Sequence, residues 1–499
     1  MAGNADLQAP IINVQVMAGD SKAGFGEQRI LIIAQGSGTN TPKQLIEDIQ
    51  KNEVVELCGE GSLATRAYSR VRDFNRANEI DIITLEEPVD GLKAQGGFKI
   101  IGIAGESKTL NIKVGDDSFL VSVTVPKDQT AENIAVLVKD AINAKDYPFT
   151  ATIDGTDGTL VLIDFDIAGE VANGITVVAK DRVLGLEFSS IKFTGGAGAY
   201  DVDDIFKGIT KRYQTVLFDK AMNFDTVEEW LQSRINKSNT VKGGQGITMI
   251  NGTYSEVKDF ANSKNSQTMT VIGNIERMKF NALPILAVAE VGAIRALRLT
   301  DGAIIGRYVL DAVEAFGGIN KSSLPYHNTP ISYDEPTGVI EVEEVQDLND
   351  AGVTLFVPAT IGTVLGSVKT LYKVDLSGIE DKTFRYLNAM DTSLAIQEYF
   401  YVNSQKKFGQ TRATGGDLVE GVSMTNEVSV KAYIVGLYGD LIEMALAQGG
   451  QEAIKVFKKN IRVKLDSATG VYSVFAPTPI VSQFRGMNMV VAISYDIKG

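Results

Sequence analysis

Cysteine and histidine are almost absent: the 499 residues hold one of each, Cys58 and His327. A lone cysteine excludes an internal disulfide, so the fold has to be held by its cores. A lone histidine excludes His-rich metal clusters and leaves little for His-based acid–base chemistry. His327 sits between Pro325 and Pro330 in an apparent loop, without a nucleophile motif beside it, and a structural role is expected. No G-x-x-x-x-G-K-[ST] run is present, which excludes a P-loop, and no G-x-S-x-G, which excludes a nucleophile elbow. No stretch of about 18 apolar residues exists, so no membrane span is expected. Met1–Pro10 lacks the basic start and apolar stretch of a signal peptide. The expectation is a chain that stays in the cytoplasm where it is made, or leaves by lysis.

What remains is ordinary globular material, 44% hydrophobic and 22% charged, long enough for several cores. At about 100–200 residues per domain, two to four domains are expected. The net charge of −14 argues against non-specific binding to nucleic acid or an anionic membrane. It is unevenly spread. From Asp381 onward 13 basic residues face 11 acidic ones, a net +2, which leaves −16 on the part before it. Either the C-terminal part meets an acidic partner or the difference is scatter.

Along the chain, residues 9–17 (APIINVQVM) read as a detached strand on a glycine-containing tether, Gly19 to Gly26. Arg29–Gln35 and Ile80–Leu85 are near-continuous apolar runs, as in strands buried on both faces. Between them, Thr41-Pro42 is expected to open one helix and residues 62–77 to form a second. Strands alternating with helices argue an α/β sheet. The character changes at Pro88. Residues 92–197 alternate with period two around turn residues such as Asp154-Gly155, with one helix at about Ala131–Ala144. This module ends in the glycine-rich 194–199, expected to be a flexible exit, and α/β patterning then resumes. Helices are expected over 201–209 and from a capping box Asp225–Glu228 that leads to Trp230. Strands are expected at 213–218, 247–250 and 269–272, and a long helix at 282–299. Beyond Leu324, helices are expected at 386–407, 440–448 and 451–459. Val428–Leu437 reads as a strand, or a strand running into a helix. Strands follow at 461–465, 471–476 and 489–497. A terminal apolar strand needs a partner edge, in this subunit or in another.

Candidate chemistry is sparse. Gly195–Gly198 and Gly243–Gly246 lack phosphate-loop context and read as turns. Asp154, Asp157, Asp164 and Asp166 suit hairpin turns, and Asp201, Asp203 and Asp204 a helix start. A calcium site in the first group is the alternative, although neither group follows the EF-hand pattern. Cys58 follows the apolar Val54–Leu57 and reads as a buried thiol. Lys455, Lys458, Lys459, Arg462 and Lys464 form a basic stretch without an acidic residue. It is either a solvated face or a contact patch for an acidic protein. No catalytic residue, cofactor or metal site is assigned.

Several segments resemble the tail sheath proteins of contractile phages, in the Mu-like branch. These are APIINVQV followed by RILIIAQ; the inserted β module with its AENIAVLVKDAINA helix and closing FTGGAGAYDVDDIF; LPYHNTP at 324–330; and RYLN at 385–388, with a helix ending in SQKKFG at 404–409. The succession of basic helix, strand and final strand completes the likeness, which spans nearly the whole chain. One departure is Gln410-Thr411-Arg412, where the family commonly carries a more basic run and only Arg412 keeps the charge. Part of the family's core is described as subtilisin-like, but that is a likeness of fold, and no triad is present.

The resemblance implies a structural, non-enzymatic subunit that stacks in six-fold rings around a tail tube. Its fold class is α/β (α+β) and multidomain. The implied layout is an N-terminal arm (1–18), a discontinuous α/β core (19–87 and 200–322), and an inserted β-rich outer domain (88–199). A C-terminal inner α+β domain (323–486) and an arm strand (487–499) complete it. Arm strands carrying Ile11, Ile12, Val14 and Val16, and Val490, Val491, Ile493, Tyr495 and Ile497, would join sheets of neighbouring subunits. Lys455, Lys458, Lys459, Arg462, Lys464, Lys406 and Lys407 would form a tube-facing basic patch. The implied partners are further copies of the chain in a helical polymer, a tube protein, and baseplate and terminator proteins, without direct nucleic acid or membrane insertion. The implied place is the virion tail, assembled in the host cytoplasm. The sheath of a headless phage-tail-like bacteriocin or injection particle is the alternative within the same structural class. A cytosolic α/β enzyme or ligand-binding protein is the reading from another class, and it would need a ligand crevice at the C-terminal ends of the strands.

Overall fold

Arg29–Gln35 (β1) and Glu79–Leu85 (β3) are buried along almost their whole length and pair in parallel, as their unbroken apolar runs require. The computed structural model describes residues 28–481 apart from 116, 220–222, 236–241, 279, 301–325, 327–328, 334–337, 361 and 445. The expected arm strands and His327 lie outside the described residues. The chain divides into two compact units, one ending at Lys406 and the other beginning at Lys407.

The first unit is built on an eight-stranded mixed sheet among the described residues. Beside β3 lies the short Leu45–Ile46 (β2), antiparallel. On the far side of β1 run Thr215–Phe218 (β11), Gln245–Gly252 (β12), Met269–Ile275 (β13) and Val353–Ala359 (β14), all parallel. Gly362–Leu365 (β15) closes that edge, antiparallel. Val54–Cys58 (α1) and Leu63–Phe74 (α2) connect β2 to β3. Ser62 Oγ caps α2 by accepting from the Thr65 amide. Pro284–Thr300 (α6) packs against α2, β1, β11 and β12. Phe224–Ile235 (α4), Tyr254–Ser263 (α5) and Val342–Asp350 (α7) pack among β12, β13 and β14. The mixed α/β class read from the sequence therefore holds.

Residues 93–194 fold as the β-rich module that interrupts this sheet. Lys93–Gly102 (β4), Leu160–Ala168 (β8), Phe149–Ile153 (β7) and Leu186–Thr194 (β10) form an antiparallel four-stranded sheet. Lys108–Val114 (β5), Leu120–Val125 (β6) and Val177–Ala179 (β9) form a three-stranded one, and Ala131–Asn143 (α3) packs on β4, β6, β7 and β8. Its two crossings meet in a bridge between Leu92 and Ala197. The 194–199 exit is packed rather than loose. Asn173 exchanges side-chain hydrogen bonds with the Gly196 N–H and C=O, and a Cβ on Gly196 would sit 2.3 Å from the Gly169 carbonyl. Asn281 likewise brackets the Thr176 backbone, tying the module to the sheet below.

Other expectations are corrected. Thr41-Pro42 opens no helix, because Lys43 and Asp48 have positive φ (66° and 47°) and Leu45–Ile46 pairs with Ile83 and Ile82. Residues 201–209 form turns, with positive φ at Asp204 and Gly208. Asp225 caps nothing: α4 starts one residue earlier, and its carboxylate pairs with Lys264. The capping box of this region is Thr253 with Glu256, at the start of α5. The expected start of a C-terminal domain at 323 is no edge of the sheet, since β14 and β15 belong to it.

Leu387–Phe408 (α8) leads out of the first unit. The second unit holds a short parallel pair, Arg412–Ala413 (β16) and Met424–Thr425 (β17). Glu427–Glu443 (α9), Gln451–Asn460 (α10) and the hairpin Arg462–Asp466 (β18) with Val471–Phe475 (β19) follow. Val428–Leu437 is thus helix, not strand. Asn426 caps α9 by accepting from the Ser429 amide, and Val430, Ile434, Leu437, Tyr438 and Leu441 form one buried helical stripe.

Candidate interaction surfaces

The hairpin of the second unit has two unlike faces. Its register pairs Arg462 with Phe475, Lys464 with Ser473 and Asp466 with Val471 on one face, and Val463 with Val474 and Leu465 with Tyr472 on the other. The second face packs on α9 through β18, with Val474 left exposed, and the Tyr472 hydroxyl donates to the Thr425 and Thr414 carbonyls at 2.7 and 3.2 Å. The first face is solvent-exposed, including Phe475 at 60% and Val471 at 51%.

The edges differ too. The Leu465 amide turns away from β19 to the Glu427 carboxylate at 2.9 Å, which makes Leu465–Tyr472 a non-hydrogen-bonded pair of the ladder. By alternation Tyr472 and Val474 present their backbone groups outward from β19. Among the described residues nothing bonds that edge, whereas the chain beyond it, at Pro479–Val481, is bonded to Leu446 and Gln448. Among the described residues the ribbon thus has one bonded and one unbonded edge, and an unbonded strand edge can accept an added strand.

The basic stretch is brought together in part. Lys455, Lys458 and Lys459 lie exposed on α10, whose apolar anchor is Phe457, stacked on Tyr438 at 4.0 Å between ring centroids. Lys455 pairs with Glu452 on its own helix at 3.8 Å. Arg462 and Lys464 lie on the exposed hairpin face. Lys406 and Lys407 are exposed at the end of α8, on either side of the boundary between units.

The crevice that a doubly wound enzyme would use lies where strand order reverses, at the C-terminal ends of β1 and β11. At the end of β1 the 37–40 loop packs on α1. Ser37, Thr39 and Asn40 donate their amides to the Cys58, Glu56 and Leu57 carbonyls at 2.8, 2.9 and 3.1 Å. A Cβ on Gly38 would lie 2.4 Å from the Gly59 nitrogen and the Leu57 carbonyl. A cavity of about 850 Å³, lined by Gln232, Asn265, Gln267, Phe384 and Leu394 among others, lies toward the N-terminal end of β13, and one of about 360 Å³, lined by Lys43, Glu86, Glu87 and Asp201 among others, lies past the C-terminal end of β3. Burial pushes the Cys58 thiol up to about 12, so it is a packed, protonated side chain.

The carboxylate clusters are spent locally. Asp154 accepts from the Thr156 and Asp157 amides, Asp157 pairs with Lys99 at 2.7 Å, and Asp201 pairs with Lys43 at 2.5 Å. Asp164 and Asp166 accept from Gln95 and Thr150. No group of acidic, cysteine or histidine side chains able to hold a metal occurs among the described residues.

One polar centre escaped the sequence reading. Arg295 on α6 and Asp391 on α8, each 1% exposed, pair at 2.5 Å. Tyr326 donates to the same carboxylate at 2.6 Å, and Arg295 also reaches the Gln214 carbonyl and the Thr215 hydroxyl. The signal was an arginine inside a largely apolar helix, but nothing in the spacing names its partner 96 residues away.

No protein-family model matches the chain. It is 21% identical over 440 residues to the Mu-like prophage FluMu tail sheath protein of Haemophilus influenzae, covering 86% of this chain and 85% of that one. Among solved structures, the sheath tail protein of Desulfitobacterium hafniense aligns at a TM-score of 0.45 and 10% identity, over 95% of this chain and 97% of that one. The helical sheath of the anti-feeding prophage in its contracted state aligns at 0.47 and 10%, over 98% and 100%. The resemblance read from the sequence is borne out: the chain is similar in sequence to a Mu-like tail sheath protein over most of its length.

Proposed function

We propose that the chain is the structural subunit of a contractile phage tail sheath. It polymerises as stacked hexameric rings around a tail tube and contracts to drive the tube through the host envelope. The observation that carries this reading is the sequence relationship to a tail sheath protein, which runs over 86% of the chain rather than through one module. The missing P-loop fits a contraction driven by repacked contacts between bodies rather than by nucleotide. The sheath of a headless injection particle would have the same subunit design, and the anti-feeding prophage among the similar structures favours keeping that second reading.

In this reading the arms, residues 1–18 and 487–499, exchange strands between copies, and the outward edge of β19 at Tyr472 and Val474 receives one of them. Main-chain hydrogen bonds supply the affinity and alternating side chains the register. Heterologous contacts close into rings where the rotation closes and propagate a helix where it does not, which suits stacked rings in a helical polymer. The inserted module (88–199) is the outer domain. The lysines of α10, with Lys406 and Lys407, face an acidic tube. Surface ion pairs worth about 0–1 kcal/mol each suit a contact that breaks during contraction. Baseplate and terminator proteins cap the polymer in the virion tail, after assembly in the host cytoplasm. No described helix is long and apolar enough to cross a membrane.

The test is negative-stain electron microscopy of the full chain beside a variant lacking residues 1–18 and 487–499. Long striated hollow tubes that are lost on truncation are expected. Small discrete particles from both would overturn strand exchange and return attention to ligand binding.

A further inference from the structure

The first unit carries a rigid apolar knob that the proposed arms and tube contact do not use. Leu376 is fully exposed and Ile379 is 65% exposed, at the tip of a turn spanning Asp375–Glu380. Such side chains are usually found on loops that can fold them away, but this turn is fixed. The Asp375 amide donates to the Ile379 carbonyl at 2.9 Å, and the Asp375 carboxylate accepts from the Ser377 and Ile379 amides at 2.8 and 3.0 Å. Its base is clamped by Asn265, which accepts from the Lys373 and Val374 amides and donates to the Val374 carbonyl. A preformed anchor of this kind loses little freedom on binding. Its rim is acidic: Asp375, Glu380 and Asp381 outnumber Lys382, which pairs with Glu380 at 3.1 Å.

The second unit carries the complementary surface. The outer face of the β18–β19 hairpin sets exposed Phe475 and Val471 beside Arg462 and Lys464, with Asp466 at one end. An acidic-rimmed apolar knob and a basic apolar face on one chain form a heterologous pair, the arrangement that builds open polymers. We propose that the Asp375–Glu380 knob docks on the Arg462/Lys464/Phe475 face of a second copy of this chain, as a body contact within the polymer. This rests on the sheath reading for its occupant, and on charge and apolar complementarity for its place. It also divides the basic stretch: the lysines of α10 are left for the tube, and the hairpin residues serve the neighbour.

The experiment measures the concentration at which the full chain forms tubes, by pelleting and electron microscopy. Leu376→Asp places a charge in the apolar contact and should raise that concentration by about tenfold or more, with unchanged circular dichroism and thermal midpoint because the side chain is exposed. Glu380→Lys alone, and Arg462→Glu with Lys464→Glu in another chain, should each weaken assembly. An equal mixture of these two variants should assemble better than either alone, because the reversed charges then meet between copies. Tubes from Leu376→Asp at the wild-type concentration overturn the proposal while leaving the sheath reading intact. So does rescue seen only when both reversals sit in one chain, which would place the contact within a subunit. A wild-type chain that forms no tubes at any concentration overturns both.

Discussion

Asp391 and Arg295 share a site from which water is excluded, so each is tolerable only because of the other. Removing one partner of such a pair typically costs about 3–5 kcal/mol, whereas replacing both with apolar groups is often neutral. Asp391→Ala should therefore lower the urea midpoint strongly, and Arg295→Met with Asp391→Leu should recover much of the loss. Equal destabilisation by the single and double variants would contradict the pairing. Lys373 gives the opposite case, a half-buried charge held by a carbonyl: its ammonium donates to the Ala261 carbonyl at 2.6 Å, and burial pulls it down from 10.5 to about 8. Between about 8 and 10.5 the unfolded chain holds that proton and the folded chain does not, so stability rises with pH across this window. Lys373→Met should flatten that slope in pH-dependent unfolding. Cys58 should resist thiol reagents until the chain unfolds, which a thiol titration with and without denaturant reads directly. The buried cysteine was legible from its apolar neighbours. Arg295 and Lys373 were not, because desolvation and partnership depend on residues far away in the chain.

At the scale of elements, period and burial separated what propensity confused. β1 and β3 were readable because a strand covered on both faces needs an unbroken apolar run, and α3 because its stripe repeats at helical spacing. Val428–Leu437 reads as strand from its β-branched residues, yet Asn426 supplies a cap and the residues at 430, 434, 437, 438 and 441 supply a helical stripe. Tertiary burial decided between the two patterns. Leu45–Ile46 went the other way, drawn into the sheet by β3 despite a helix-start signal at Thr41-Pro42. The two unlike edges of the hairpin were invisible in the sequence, since they depend on Glu427 reaching the Leu465 amide. Val474→Pro removes one outward N–H from β19 while leaving the inner ladder intact, so it should abolish tubes without unfolding the second unit. Asn426→Ala should cost that unit about 1 kcal/mol through the lost cap, read as a lower thermal midpoint.

For the whole molecule, the interrupted sheet explains how one chain combines a stiff body with an inserted β-rich module. The module starts and ends at the bridged Leu92 and Ala197, and Asn173 and Asn281 lock it down, so a load on it passes into the sheet. A subunit that must turn as a body during contraction needs that stiffness. The general layout was legible because the change from α/β to period-two patterning marks where the insertion begins and ends. The continuation of the sheet through β14 and β15 was missed because a short strand at the far side of a long connection carries no local sign of its partner. The account rests finally on strand exchange between copies at the open edge of β19. Helical reconstruction by cryo-electron microscopy of tubes grown from the full chain tests it most directly. The account predicts six-fold rings with an extra strand from a neighbouring subunit beside Tyr472 and Val474; an edge that stays bare in well-ordered tubes would contradict it.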